Sequence, residues 1–142
     1  MATSQSQTVL RWLLPILTLA WVGFLFWVST YARGPLPPPS ASAGFPNLLI
    51  TPALHLGAYG LLASLLVLSI WTAWPRMARL PASLTAAFVA ASVYGAALEL
   101  YQTSLSSRAG SWGDAAANAA GAAIALAVLV AVRRRRASAA RP

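Results

Sequence analysis

Residues 113–136 read "GDAAANAAGAAIALAVLVAVRRRR", and this stretch decides the fold. After an acid and an amide it runs apolar to position 132 and then stops on four consecutive arginines. A hydrocarbon core about 30 Å thick is crossed by roughly 20 helical residues, so 113–132 has the length of one span with a basic tail, 133–142, behind it. Working outward, the same length and apolarity recur at about 9–31, 52–74 and 81–102. The sequence therefore predicts an all-α polytopic membrane protein, a single domain over 1–142 built as a bundle of four transmembrane helices.

Composition agrees. The chain is 58% hydrophobic, with six Trp, ten basic residues (all Arg), two acids, one His and no Cys. No ordinary soluble domain has this balance. Without cysteine there is no disulfide or thiolate chemistry, and nothing in the sequence reports a redox compartment. The net charge of +8 does not point to nucleic acid, because four of the arginines follow directly on an apolar helix. Arg133, Arg134, Arg135 and Arg136 suit anionic lipid headgroups instead. The first span exceeds the roughly 7–15 apolar residues of a signal peptide and carries Trp12, Trp21 and Trp27, so it is expected to stay uncleaved.

Four spans place both termini and the 75–80 link on one side of the membrane. Arg11, Arg76, Arg79, Arg133, Arg134, Arg135, Arg136 and Arg141 fall there, and only Arg33 and Arg108 fall on the other. Excess Lys/Arg marks the cytoplasmic side, so both termini are expected in the cytoplasm of a bacterial plasma membrane. The loop "ARGPLPPPSASAGFPN", 32–47, reads as an extended external tether. Pro75 and Pro81 bracket a short link, so helices two and three should form a tight antiparallel hairpin. The Ala/Gly surface of helix four and Gly57, Gly60, Ala63 and Ser64 of helix two suit close packing, with helix four expected at the centre.

This orientation gathers His55, Glu99, Gln102, Arg108, Asp114 and Asn118 at one membrane face, although none of the acids nor the His was used to derive it. Residues three or four apart share a helix face, which groups His55 with Tyr59, Glu99 with Gln102, and Asp114 with Asn118 and Gly121. Asn118 would sit about 7 Å below the surface, too deep for an amide to face lipid, and should point into the bundle.

In this order the residues resemble the VanZ-like family of small membrane proteins. The pattern reads "HLGAY" (His55, Tyr59), "ELYQ" (Glu99, Gln102), "RAGSWGD" (Arg108, Asp114) and "NAAG" (Asn118, Gly121), over about 51–125. The chain departs from it at Thr51-Pro52, where many members have Asp-Lys, at Leu98, often a second acid, and at Ala125, often Gly. The family is named for a protein linked to glycopeptide-antibiotic resistance, so the resemblance implies action at the cell envelope. It implies no reaction.

Two functions follow from the polar set. One is a membrane enzyme acting on a lipid-linked or headgroup substrate, with His55, Glu99 and Asp114 as acid–base and orienting groups, Arg108 on an anion, and Tyr59, Gln102 and Asn118 binding. The other is an accessory protein that holds an amphiphilic ligand without chemistry. A structural reading uses the same residues: Glu99 pairing with Arg108, Asp114 capping helix four, His55 a polar tip at the interface. His55, Glu99 and Asp114 offer N and O ligands that suit several divalent ions, but one His without Cys is a poor zinc set, so no metal is assigned, and the sequence leaves any cofactor open. Polar groups at one end only leave no path for transport.

Overall fold

The computed structural model describes residues 2–31, 45–105 and 110–140, with side chains over 6–30, 51–105 and 110–140. The described residues are helical: α1 (Ala2–Tyr31), α2 (Phe45–Ala73), a short 3-10 turn (Pro75–Arg79), α3 (Pro81–Thr103) and α4 (Trp112–Ala139). All four helices are long and apolar enough to cross a membrane. Most of the expected tether, 32–44, and Arg108 lie outside the described residues.

Two helices outrun their expected ends. α2 begins at Phe45 and passes through Pro52. A proline reads as a helix start because its missing N–H is not needed in the first turn. Membrane helices nevertheless tolerate one further in, where neighbouring groups satisfy the freed carbonyl. α4 continues through all four arginines to Ala139, since alanine and arginine are among the best helix formers. Its 28 residues span about 42 Å, so the arginine turns project beyond a 30 Å hydrocarbon layer.

The expected centre is corrected: α2 packs most extensively against the other three helices, whereas among the described residues α4 meets α2 and α3 but not α1. The small residues of α4 serve one face only. Gly121 and Ala122 are buried, while Ala123, Ile124, Ala127 and Val128 face outward. A Cβ added at Gly121 would lie 2.7 Å from Leu56 Cα, and one at Gly60 would lie 3.1 Å from the Gly121 carbonyl oxygen. These glycines bring the backbones of α2 and α4 together. Gly57, by contrast, has nothing near it and takes no part.

α1 sits at the periphery, held by hydrogen bonds of a kind that is costly to leave unmade in lipid. Thr18 Oγ1 meets Ser69 Oγ at 3.0 Å, Trp21 Nε1 donates to the Ala58 carbonyl at 3.0 Å, and Tyr94 Oη donates to the Val22 carbonyl at 2.7 Å. Leu19, Val93, Ile124 and Val128 are exposed, as befits surfaces that face acyl chains rather than water. Trp12 and Trp74 toward one end, and Trp27 and Trp112 toward the other, are also exposed, an arrangement suited to two interfacial belts.

Candidate functional site

α2, α3 and α4 each deliver one ionisable side chain to a single point. His55 on α2 places Nδ1 2.8 Å from Asn118 Oδ1 and 3.9 Å from Glu99 Oε1, and its Nε2 lies 4.0 Å from Asp114 Oδ1. The chain's one His and both of its carboxylates thus share a site. Because α2 starts at Phe45, His55 stands within the helix rather than at its beginning.

Asn118 fixes the imidazole. An amide oxygen can only accept, so Nδ1 carries the proton toward Oδ1, and in the neutral ring Nε2 presents its lone pair on the Asp114 side. Asn118 itself is 0% exposed, and its Nδ2 finds no acceptor among the described residues. Gly95 makes room for it: a Cβ there would fall 2.9 Å from Asn118 Nδ2 and 2.8 Å from Tyr59 Cε1. Tyr59, beside the same cluster, and Gln102, one turn on from Glu99, are buried at 4% and 8% exposure.

Asp114 does not cap α4, which corrects the structural expectation. The N-cap is Ser111, whose Oγ accepts the N–H groups of Gly113 and Asp114 at 3.1 and 3.3 Å. In a capping box, the side chain three residues on would return to the cap's own N–H. Here the Ser111 N–H donates instead to Glu99 Oε2 on α3, at 3.1 Å. Glu99 takes the role that position 114 would have played, and Asp114 is left facing His55. The capping role of Ser111 is what a reading of the sequence missed, although the spacing in "SWGD" ahead of an apolar run was the signal for it.

Glu99 also lines a cleft of about 140 Å³ between the end of α3 and the start of α4. Its walls include Ala96, Leu100, Ser111, Trp112 and Ala115. Leu100 and Trp112 are 66% and 85% exposed, so apolar side chains at the surface of the bundle flank the cleft. Glu99 is therefore in reach both of the cleft and of His55. Of the aromatics on α3 and at the start of α4, Tyr101 stacks on Phe26 and Trp112 faces outward, whereas Tyr94 is the clip to α1.

His55, Glu99 and Asp114 can each turn one ligand atom to within 4.8 Å of the others. Ligands about 2.1 Å from a shared divalent ion lie roughly 3.0–3.4 Å apart, so the widest pair would have to close by about 1.5 Å to hold one. No family model, no curated protein and no solved structure matches this chain.

Proposed function

We propose that the chain is a VanZ-like integral membrane protein that carries out acid–base chemistry on the headgroup of a lipid-linked substrate at the outer face of a bacterial plasma membrane. The observation that carries this reading is the meeting of His55, Glu99 and Asp114 around the buried Asn118 amide. Ionisable groups inside a membrane protein are costly and mark sites of function. Here the one His and both side-chain acids of the chain converge from three helices.

Within that reading Glu99 exchanges a proton with the substrate group in the cleft, because it alone of the three lines that opening. Asn118 sets the ring of His55, and His55 balances the charge on Glu99 as the proton moves. Asp114, on the Nε2 side, steadies the ring when it is charged. The exposed apolar flank of the cleft, Leu100 and Trp112, supports an amphiphilic substrate, whose tail stays in the bilayer while its head reaches Glu99. Arg108, six residues before Asp114, would bind the anionic part of that head.

A second reading, a non-catalytic binding or accessory protein of the envelope, draws on the apolar walls of the cleft. Its 140 Å³ is less than the roughly 300 Å³ at which drug-sized pockets begin, so it takes a segment of a ligand rather than a whole one. The sidedness rests on the arginine split, and a reporter active only outside the cytoplasm, fused after Pro142, should stay silent.

The deciding experiment presents the purified protein in nanodiscs with envelope lipids and lipid-linked wall precursors, followed by mass spectrometry. Enzymatic action predicts a changed headgroup that disappears with Glu99→Gln. Retention of one lipid without conversion would establish the binding reading, and neither result would discard both.

A further inference from the structure

The opposite end of the bundle holds a second built feature. Arg133 is not free among the tail arginines: its Nη1 donates to the Ala78 carbonyl at 2.6 Å, and its guanidinium lies 4.7 Å from the ring centre of Trp71. The Trp71 indole N–H in turn donates to Ser83 Oγ at 2.9 Å, and Ser83 donates to the Leu80 carbonyl at 2.9 Å. This chain of bonds ties the start of α3, the 3-10 turn and the end of α4 into one platform.

Arg79, Arg133 and Arg134 line a depression of about 380 Å³ on that platform. A second, of about 440 Å³, runs along the α3–α4 seam past Leu126, Ala127 and Ala131, and the two share Leu84, Val130 and Arg134. Leu126 lies seven residues inward of Arg133, so the paired depressions descend about 10 Å from the cationic rim along apolar wall. Both side-chain carboxylates of the chain are committed to the other end, and nothing anionic among the described residues balances these guanidiniums.

We propose that this platform and seam form a site for one anionic glycerophospholipid, with its phosphate on Arg134, Arg133 and Arg79 and one acyl chain along Leu84, Leu126 and Ala131. The charge fits an anion, and the apolar continuation selects a lipid over a free phosphate. The site is independent of the chemistry proposed at His55. It makes the tail arginines unequal, because Arg135 and Arg136 line neither depression.

The test is native mass spectrometry of the full chain released from nanodiscs of mixed phosphatidylglycerol and phosphatidylcholine. The expected result is one retained phosphatidylglycerol, lost at least tenfold in Arg134→Gln and in Ala131→Phe, which fills the seam from an exposed position. An arginine that acts only by its charge near an anionic surface is worth about fivefold, and Arg135→Gln and Arg136→Gln should stay within that. Equal losses from all three arginine variants would reduce the site to diffuse attraction and overturn it. Displacement by inorganic phosphate alone, or full retention in Ala131→Phe at unchanged melting temperature, would equally overturn it.

Discussion

The two ends of this bundle treat charge in opposite ways. At one end three ionisable groups are drawn in between helices, with Glu99 at 6% exposure and tied to a backbone N–H across the α3–α4 junction. At the other, the arginines stay at the exposed rim, and the one that is anchored uses a carbonyl and an aromatic face rather than an acid. A charge that can reach water or headgroups costs little, whereas a charge taken among helices must find partners. The site end therefore carries a cost that the basic end avoids, and the question is what offsets it.

The strongest perturbation should come from the scaffold beneath the site rather than from its charges. Gly121 lets α4 pass against the backbone of α2 at Leu56, the neighbour of His55, and Leu56 main-chain atoms cannot swing aside as a side-chain tip could. Gly121→Val should therefore separate the two helices, with a loss of about 3 kcal/mol or more of stability. Thermal unfolding in detergent measures it. A melting temperature within a degree or two of the parent would show that α2 and α4 are not locked at this crossing.

Next in size is Asn118→Leu, which keeps the branched side-chain skeleton and removes the polar partner. His55 Nδ1 would lose its acceptor in a partly buried place, at a cost toward the lower end of about 1–3 kcal/mol, while the unsatisfied Nδ2 would vanish and give part of that back. The expected net loss is about 1 kcal/mol, together with loss of any headgroup conversion. A gain in stability would mean that the buried amide strains the bundle more than it orders His55, which would strengthen the view that it is kept for function.

How much of this was legible beforehand follows from where the signals are local. The four spans could be read because membrane crossing is set by length and apolarity within one segment. The convergence of His55, Glu99, Asp114 and Asn118 could be read because up-and-down helices bring alternate ends to one face. Their partners could not. That Ser111 rather than Asp114 caps α4, and that Glu99 completes the cap, depends on how α3 ends against α4, a tertiary fact. The central place of α2 was hidden for the same reason, since small residues on α4 signal a close approach without saying how many neighbours a helix has. Arg133 looked like its three neighbours until the fold set it over Trp71.

The smallest expected effect on stability is the most informative about the site. Glu99→Gln is nearly isosteric, and its amide oxygen can still accept the Ser111 N–H that Glu99 Oε2 accepts now. The cap of α4 and the α3–α4 junction are thus preserved. What disappears is the negative charge 3.9 Å from the His55 ring and the capacity to take up a proton in the cleft. If Glu99 is present for structure, a partly buried charge partner is being removed, and breaking such a pair destabilises by about 3–5 kcal/mol. If it is present for chemistry, removing a charge held at cost should leave stability unchanged or slightly raised, as is usual where an active site trades stability for function. We predict the second outcome: a melting temperature equal to or above the parent, normal abundance in the membrane, and no headgroup conversion. A fall in melting temperature in step with the loss of activity would assign Glu99 to the scaffold, and the two ends of the bundle would then differ only in how they are built.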